Sequence, residues 1–428
     1  MKEKLKLTSL ERGWILYDVG NSAFILMVST LIPIFFNALA ESAGVHEDLY
    51  LSYWGYAGSI ATILVAIIGP VCGAIADRNN KRIIFLVSML VGVLACALLG
   101  LMNGWIAFLA MFILARVGYS ASIVFYDSML PEITAENQMD KISSLGYAYG
   151  YIGSVIPFIV CLVLVLMCDS FGLTQSSAMT IAFLIVALWW AGCSLPLLKN
   201  YKQTAFRQPT KEPVKDAFRQ LHSTLKAARA EKHIFLYLLS FFFFIDGVYT
   251  IIDMATAYGA ALGLDTTGLL LALLWTQFVA FPCSILFGRL SARYDTGLLI
   301  KACIIAYTGI TVFGIFLVSQ WQFWVLATLV GMFQGGIQAL SRSYLGKIIP
   351  ADRSGEFYGL MDIFGKGASF MGLAMVSVVS QLTAGITADV FGIRLQNENL
   401  AVGSLIVLFI LGYVLFCKAD KLNKARQD

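Results

Sequence analysis

Charged side chains stand inside long apolar stretches of this sequence, where they are costly. In the run ILYDVGNSAFILMVSTLIPIFF, Asp18, Asn21 and Ser22 follow one another at intervals of three and one residues. In a helix this spacing places the three side chains on one face, and a carboxylate beside an amide and a hydroxyl can hold an ammonium group or a polar solute. An ionised carboxylate in hydrocarbon costs roughly 3 kcal/mol or more. We therefore expect this face to lie against polar partners or water rather than lipid.

Two further carboxylates lie two helical turns apart in a later apolar run. Asp246 and Asp253 are separated by seven residues, so they share one face of a predicted helix. Because a buried carboxylate can bind and release a proton, we predict proton coupling at Asp246, with Asp253 and Asp18 as further candidates and Arg116 as a counter-charge. The alternative is a static buried ion pair that orients two parts of the molecule.

The chain that carries these residues has the composition of a polytopic membrane protein. Of its 428 residues, 59% are hydrophobic and 13% are charged, compared with about 25% charged residues in soluble domains. Apolar runs of about twenty residues recur, as membrane spans require. They predict an all-α fold of twelve transmembrane helices, over residues 11–39, 50–76, 82–101, 104–128, 143–168, 177–198, 233–262, 265–290, 298–318, 321–345, 356–386 and 399–417.

Basic residues are distributed unequally between the two sets of connecting segments. One set, together with both termini, holds many of them, whereas the other set contains only Arg394. By the positive-inside rule, we predict a cytoplasmic (inner) membrane protein with both termini in the cytoplasm. The set that contains only Arg394 comprises residues 40–49, 102–103, 169–176, 263–264, 319–320 and 387–398.

The longest polar segment, residues 199–232, separates the first six predicted spans from the last six. Its second half places Val214, Phe218, Leu221 and Leu225 at helical spacing among many basic residues. This pattern fits an amphipathic helix on the anionic inner leaflet; the alternative is a solvated basic linker. The predicted domains are a six-helix bundle over 1–198, the linker over 199–232 and a second six-helix bundle over 233–428.

The two halves of the chain resemble each other. GAIADR (Gly73–Arg78) is followed 215 residues later by GRLSAR (Gly288–Arg293), and Asp127-Ser128 and Arg342-Ser343 have the same offset. YDVG around Asp18 is similar to IDGV around Asp246. Duplicated halves are typical of transporters in which two pseudo-symmetric bundles hold a substrate between them near the middle of the membrane.

The segment GAIADRNNKR connects the second and third predicted spans and contains Asp77. A carboxylate at a helix end can accept charge-assisted hydrogen bonds from a neighbouring helix N-terminus or an arginine, so a contact that forms in one state only would act as a gate. The alternative is an ordinary turn with positive-inside charges. The segment resembles the loop-2/3 signature of the major facilitator superfamily, G-x-L-x-D-R-x-G-R-R, with Asn80 in place of a glycine. In the second copy Ala292 replaces the aspartate, so the resemblance implies this gating role for Asp77 alone.

Longer stretches are similar to the autophagy-related vacuolar effluxer branch of that superfamily. Arg116 also resembles the intramembrane arginine of the superfamily's span-four motif, which is associated with proton-coupled transport, and Ser120 stands where a small residue is usual. The resemblance implies a two-bundle fold in which spans one, four, seven and ten line the cavity and, from the yeast members, release of amino acids. The stretches are YDVGNSAF (17–24), LPEI (130–133), ISSLGYAYGYIG (142–153), FIDGVYTI (244–251), GGIQALSRSYLGKIIP (335–350) and EFYGLMDIFGKGASFMG (356–372).

Together these features predict a secondary transporter that exports amino acids or similar zwitterions by alternating access with proton coupling. Its predicted partners are a small-molecule substrate, protons and the lipid bilayer, with no nucleic acid; we predict a monomer. The predicted substrate-binding residues are Tyr17, Asp18, Asn21, Ser22, Arg116, Asp246, Gln334 and Lys366. The predicted gating residues are Asp77, Arg78, Arg82, Asp127, Arg342 and Asp362.

Other functions are less consistent with the sequence. Efflux of amphipathic drugs or organic acids is the alternative within transport. A non-transporting receptor or scaffold has little use for costly buried ions. We predict no enzyme, cofactor or metal site, because the sequence has no Walker loop and no nucleophile–base motif, and its eight cysteines and three histidines form no cluster.

Overall fold

Helices make up nearly all of the regular structure in the computed structural model, which describes residues 7–46, 49–78, 81–206, 231–383, 388–390, 393–395 and 397–427. The predicted amphipathic helix over 214–225 lies outside the described residues. Before the linker, the helices are α1 (Ser9–Val28), α2 (Leu31–Ser42), α3 (Tyr50–Ala76), α4 (Lys81–Leu98), α5 (Trp105–Ser128), α6 (Leu130–Ile133), α7 (Met139–Leu166) and α8 (Gln175–Asn200).

A second series of helices follows the linker. They are α9 (Lys232–Ala261), α10 (Thr266–Leu290), α11 (Thr296–Ile315), α12 (Gln320–Ile348), α13 (Ser354–Leu382), α14 (Asn397–Gly403) and α15 (Ile406–Gln427). Between α13 and α14, a short antiparallel pair of strands, β1 (Ala388–Val390) and β2 (Ile393–Leu395), places Ala388 opposite Leu395. This hairpin is the exception to the predicted all-α architecture.

Each of the twelve predicted spans coincides with a helix or a helix pair. Ten helical stretches among the described residues are long and apolar enough to cross a membrane. The described parts of α3 and α13 supply two shorter apolar stretches, Tyr53–Gly69 and Met371–Leu382. Many large apolar side chains on these helices are exposed on the protein surface, as expected of helices that face lipid.

The first predicted span, residues 11–39, is broken rather than continuous. Helix α1 ends at Val28, and Thr30 adopts a non-helical backbone conformation before α2 begins. Pro33 has no backbone N–H, so it cannot donate to the carbonyl of Ser29 as a continuous helix requires. The hydroxyls of Ser29 and Thr30 instead donate back to the carbonyls of Ile25 and Leu26 at 3.2 and 2.6 Å, a local bond that competes with helix continuation.

Contacts between residues divide the chain into two compact units that do not follow chain order alone. Unit 1 comprises Met1–Glu136, Tyr149–Leu221 and Pro350–Gly359. Unit 2 comprises Asn137–Ala148, His222–Ile349 and Leu360–Asp428. Two helices therefore contribute to both units: α7 begins in unit 2 and continues in unit 1, and α13 begins in unit 1 and continues in unit 2.

Candidate functional site

Asp18 lies in the middle of α1 and is buried, with 6% of its surface exposed. Its Oδ1 accepts a hydrogen bond from Asn21 Nδ2 at 3.4 Å, and the same amide donates to the Tyr17 carbonyl at 2.9 Å. On this face of α1, Ser22 approaches α7 so closely that a Cβ on Gly150 would lie 2.8 Å from Ser22 Oγ. The polar face of α1 thus packs against α7 within unit 1.

Gly20, in the same stretch, allows close helix packing. Helix α1 continues through it without a break, and a Cβ at this position would lie 2.7 Å from the Cβ of Cys193 and 3.1 Å from the carbonyl oxygen of Trp190. The glycine therefore lets α1 approach α8, as small residues do in membrane helix pairs.

Tyr17 is fully buried in an aromatic cluster of unit 1. Its hydroxyl donates to Ser122 Oγ at 2.6 Å, and its ring packs against Tyr126 and Phe85 with centroid separations of 4.7 and 4.9 Å. Trp14 stacks on Tyr126 at 4.3 Å and donates its Nε1–H to the Tyr126 carbonyl. These contacts give Tyr17 a packing role, and its role in substrate binding stays a prediction.

Arg116 projects from α5 with a polar atom unsatisfied. Its Nη1 is buried and has no hydrogen-bond partner among the described residues, although its guanidinium carbon lies 5.8 Å from the centroid of the Tyr119 ring, within cation–π range. Buried polar groups are nearly always hydrogen-bonded. Arg116 thus has a donor available for a carboxylate.

Asp246 is fully buried in α9 of unit 2. Its Oδ1 accepts hydrogen bonds from Gly372 N of α13 at 3.0 Å and from Thr250 Oγ1 at 3.4 Å. Its Oδ2 has no partner among the described residues. One oxygen is therefore held in place while the other can bind a proton or an ammonium group. Arg116 belongs to unit 1, so the predicted pairing of the two charges stays a prediction.

Two cavities lie next to this region of unit 2. One, of about 440 Å³, is lined by residues of α9, α10 and α12, including Thr276, Gln277 and the buried Gln334. The other, of about 410 Å³, is bordered by Thr250, the residue that donates to Asp246, and otherwise mainly by apolar side chains. Gln334 therefore borders a cavity of unit 2, and its role in substrate binding stays a prediction.

The remaining predicted residues have varied environments. Asp253 is exposed on α9, Asp127 and Asp362 are half-buried, and Arg78 is buried whereas Arg82 is exposed. Lys366 lies in α13, but its side chain is outside the part of the chain that the structure describes. The proposed Asp362–Lys366 pair and the gating roles of these residues stay predictions.

Asp77 caps the end of α3 and contacts the start of α13 within unit 1. Its two carboxylate oxygens accept hydrogen bonds from Gly355 N at 2.8 Å and Glu356 N at 3.0 Å. Gly73 permits this approach, because a Cβ there would collide with the Gly355 carbonyl. A carboxylate that receives free N–H groups at a helix N-terminus is a favourable arrangement, and it is the contact that the sequence predicts for Asp77.

Lys81 joins Asp77 to a buried acid that the sequence analysis did not assign. The Lys81 ammonium is fully buried and contacts Glu132 Oε1 at 2.6 Å, Ser354 Oγ at 2.9 Å and Asp77 Oδ1 at 3.7 Å. Glu132 also accepts from the Tyr201 hydroxyl at 3.1 Å and from Thr204 N at 2.7 Å. The signal in the sequence was LPEI, but nothing local indicated a partner 51 residues away.

The first residues after α8 close this cluster. Gln203 accepts a hydrogen bond from Lys81 N at 3.0 Å and donates to the Ala76 carbonyl at 3.0 Å, so it links the end of α3 to the start of α4. Burial raises the pKa of the Asp77 carboxyl to about 7, against the lowering effects of Lys81 and the two N–H donors. Burial, reinforced by Glu132, raises the pKa of the Tyr201 hydroxyl well above its usual value, which keeps it a hydrogen-bond donor.

Arg342 is buried in α12 and holds the start of α7 within unit 2. Its Nε donates to Ser143 Oγ and its Nη2 to the Ser143 carbonyl, each at 2.9 Å. The guanidinium carbon also lies 4.4 Å from the centroid of the Tyr147 ring. These contacts explain how an arginine is accommodated there, and they place it among polar protein groups rather than at a lipid surface.

A further ion pair near the end of α15 was not predicted. Asp420 contacts Lys301 at 2.6 Å and Lys424 at 3.2 Å, and accepts a hydrogen bond from the Tyr344 hydroxyl at 3.2 Å. Of these charges, Lys424 alone entered the sequence prediction, as one of the basic residues that indicate orientation. Within the described residues, no group of three or more His, Cys, Asp and Glu side chains is arranged to hold a metal ion.

Comparison with known proteins identifies the family. The sequence pattern of the family described as "Vacuole effluxer Atg22 like" matches residues 9–428. The chain belongs to this family. An uncharacterized MFS-type transporter, YxiO of Bacillus subtilis (strain 168), is 37% identical over 416 residues, which are 96% of this chain and 94% of that protein. The protein is thus a major facilitator-type transporter of the Atg22-like branch, as its motifs predict.

Fungal members of the branch are more distant and longer. Autophagy-related protein 22-2 of Aspergillus clavatus is 28% identical over 56% of this chain and 43% of its own length. This chain spans about half or less of the fungal relatives that it matches.

Solved structures share the architecture. The major facilitator transporter FucP in its outward conformation has a TM-score of 0.69 at 14% identity, covering 96% of this chain and 97% of FucP. A bacterial homologue of the iron transporter ferroportin in its outward-facing state has a TM-score of 0.66 at 14% identity, covering 96% and 98%. These likenesses confirm the predicted twelve-helix major facilitator fold.

Proposed function

We propose that this transporter exports amino acids or similar small zwitterions by alternating access, coupled to protons. The observation that carries the proposal is that two charged side chains of opposite sign each keep a buried polar atom without a hydrogen-bond partner among the described residues. In unit 1 this is Arg116 Nη1, and in unit 2 it is Asp246 Oδ2. A zwitterion carries a carboxylate and an ammonium group, so it needs a partner of each sign. The family description, which names a vacuole effluxer, supports the assignment of efflux.

Asp246 is the proposed site of proton exchange. Its burial and the fixed position of Oδ1 favour a carboxylate whose second oxygen changes its state of protonation. Asp18, which is buried on the polar face of α1 with Asn21 and Ser22, and Asp253 are the further proposed carriers. An ammonium group of the substrate and a proton would then compete for carboxylates.

The Asp77 contact is the proposed gate. Its hydrogen bonds to the start of α13 depend on a close approach at Gly73 and Gly355, so they form only while this packing is maintained. Arg78, Arg82, Asp127, Arg342 and Asp362 are the further proposed gating residues. A transporter that alternates between two states needs contacts of this kind that form in one state and break in the other.

The charge distribution supports a membrane orientation. We propose that the protein lies in the cytoplasmic membrane with both termini in the cytoplasm, because basic residues are concentrated in one set of connecting segments. We further propose that one chain suffices for transport, since it contains both halves of the fold. The orientation is tested by introducing cysteines at Ser170 and Lys421 and labelling them in whole cells.

The alternative substrate class is amphipathic organic molecules such as drugs or organic acids. The two cavities in unit 2 favour it, because mainly apolar side chains line them and apolar linings suit apolar ligands. A cavity of this kind beside Asp246 is also compatible with an apolar amino-acid side chain.

Transport by purified protein in proteoliposomes tests the proposal directly. Under an imposed pH gradient, we expect movement of radiolabelled amino acids that stops when the gradient is collapsed by a protonophore. If no amino acid moves while amphipathic organic acids do, the alternative substrate class replaces the proposed one. Flux that is indifferent to the protonophore would remove proton coupling.

A further inference from the structure

Asp140, in the first turn of α7, is the centre of a buried polar cluster in unit 2. It has 4% of its surface exposed, and its Oδ1 accepts from Ser343 Oγ at 2.6 Å. Its Oδ2 accepts from the Lys347 ammonium and the Thr296 hydroxyl, both at 2.6 Å. Lys347 also contacts Thr296 Oγ1 at 2.8 Å. The carboxylate therefore receives three donors from α11 and α12.

The same part of α7 is held at two further positions. Arg342 of α12 binds Ser143 through two hydrogen bonds, and Ser143 Oγ donates to the Ala339 carbonyl at 2.7 Å. Helix α10 approaches closely, because a Cβ on Gly288 would lie 2.9 Å from the Ser144 Cβ. Three helices of unit 2 thus contact the start of α7, while α7 from Tyr149 onward belongs to unit 1.

The internal repeat relates this cluster to the one at Asp77. With the offset of 215 residues, Gly73 corresponds to Gly288, Lys81 to Thr296 and Glu132 to Lys347. The start of α13 corresponds to the start of α7, so that Gly355 corresponds to Asp140. All of these positions lie in one of the two clusters, and Lys81–Glu132 at 2.6 Å and Thr296–Lys347 at 2.8 Å are equivalent contacts.

We infer that Asp140 with Lys347 forms a second closing contact, equivalent to that of Asp77 but with the acid and its donors exchanged between the partner helices. In the first contact the acid, Asp77, lies at the end of α3, and the start of α13 supplies the N–H donors. In the second contact the acid, Asp140, lies at the start of α7, the helix equivalent to α13, and α11 and α12 supply the donors. In the second copy Ala292 stands at the position equivalent to Asp77, and Asp140 of α7 supplies the acid instead.

This inference rests on the proposed alternating-access function, because a closing contact has meaning only in a protein that opens. It adds positions 140, 296, 343 and 347 to the gating residues, none of which the loop motif contains. It also explains how the second copy does without the motif aspartate: Thr296, Ser343 and Lys347 all bind Asp140 instead.

Hydrogen–deuterium exchange on the purified, substrate-free protein tests the inference. We expect Asp140→Asn and Lys347→Gln each to raise exchange roughly tenfold over residues 139–148, because each removes a charge-assisted buried bond. If the contact closes the transporter, the same variants also raise exchange over residues 354–359, since one opening motion breaks both clusters. Asp169→Asn, which changes an exposed acid, is the control that changes neither region.

The double variant separates a pair from two independent residues. With Asp140→Asn already present, Lys347→Gln should add little further exchange, because coupled partners are not additive. A rise confined to residues 139–148 would overturn the inference in favour of a local brace of α7, and additive effects would overturn the pairing. If Asp140→Asn does not fold, Ser343→Ala, which removes one donor only, gives the same comparison.

The measurement does not depend on substrate. Should the protein move no amino acid in proteoliposomes, the exchange result would still report whether the two clusters open together. Conversely, independent exchange at the two clusters would reject the second closing contact and leave the proposed substrate class intact.

Discussion

Arg116 and Asp246 each keep one buried side-chain atom, Nη1 and Oδ2 respectively, without a hydrogen-bond partner among the described residues. Two other buried charges are, by contrast, well partnered: Lys81 binds Glu132 and Ser354, and Asp140 receives three donors. Because an unsatisfied buried polar group costs about 1–3 kcal/mol and more when charged, Arg116 Nη1 and Asp246 Oδ2 are the proposed positions for a ligand group or a proton.

Replacing Asp246 by asparagine should abolish proton-driven flux while preserving the fold. The variant keeps an amide oxygen that can accept the hydrogen bond from Gly372 N, which lies 3.0 Å from Oδ1 in the wild-type protein. Its side chain cannot, however, bind and release a proton. Flux under a pH gradient, compared with substrate exchange without a gradient, is the measurement. Undiminished gradient-driven flux would remove Asp246 from proton coupling; Asp169→Asn serves as the control for an exposed acid.

Replacing Arg116 by glutamine should weaken binding of free amino acids about tenfold or more, because a charge-assisted bond to a carboxylate contributes about 1.5–3 kcal/mol. Amino-acid amides lack that carboxylate, so their weaker binding should be unaffected by the substitution. Thermal stabilisation by each ligand provides the measurement. An equal loss for acids and amides would contradict a carboxylate-binding role.

At the scale of helices, the sequence predicts the positions of the helices better than the structure of their ends. Hydropathy is sufficient for the twelve spans because lipid requires about twenty apolar residues for each crossing. It does not predict the break before α2, which depends on Pro33 and on two hydroxyls. Nor does it predict α15 to residue 427, ten residues beyond the apolar run, because Asp420 and its lysine partners stabilise a polar helix end.

The polar clusters at helix ends illustrate a second limit of the sequence. Asp18 and Asn21 were predicted to share a face because they are neighbours on one helix, and they do. Glu132 and Asp140 were not assigned, because the residues that they bind lie 51 to 207 positions away in the chain. Local spacing carries no information on such contacts. The internal repeat does carry it, once the equivalent positions are compared in space.

Substituting alanine for Gly355 should lower the melting temperature by several degrees. A Cβ there would lie 2.7 Å from both Asp77 Oδ1 and the Gly73 carbonyl oxygen, and overpacking of this kind costs typically 1–3 kcal/mol. Gly192→Ala is the matched control: it lies within α8, a Cβ there has no neighbour within 4 Å, and alanine favours a helix by about 1 kcal/mol. Equal melting temperatures for the two variants would show that the approach at Gly355 is not tight.

For the molecule as a whole, the Asp77 cluster links stability to pH. Its pKa is raised to about 7 in the folded protein, compared with about 3.9 in an unfolded chain. Between these values the folded state binds more protons than the unfolded state, so stability decreases as pH rises from about 4 to about 7 and then levels off. The direction is opposite to that of a carboxylate whose pKa is lowered by an ion pair.

The variant Asp77→Asn should remove this contribution. Its melting temperature in detergent should change less between pH 5 and pH 8 than that of the wild-type protein, and the difference between the two should be greatest at the alkaline end of that range. Parallel melting curves across the range would contradict the raised pKa. Asp169→Asn, measured in the same series, controls for the loss of an exposed carboxylate.

The way in which α7 and α13 contribute to both units has a consequence for synthesis. Unit 1 includes Pro350–Gly359, so Asp77 lacks the N–H donors of Gly355 and Glu356 until the ribosome has translated more than four-fifths of the chain. During that interval the first six spans are already made, and their polar helix ends must be kept hydrated or shielded. Biogenesis therefore ends with a late step in which the nascent chain delivers the start of α13 to helices inserted long before it.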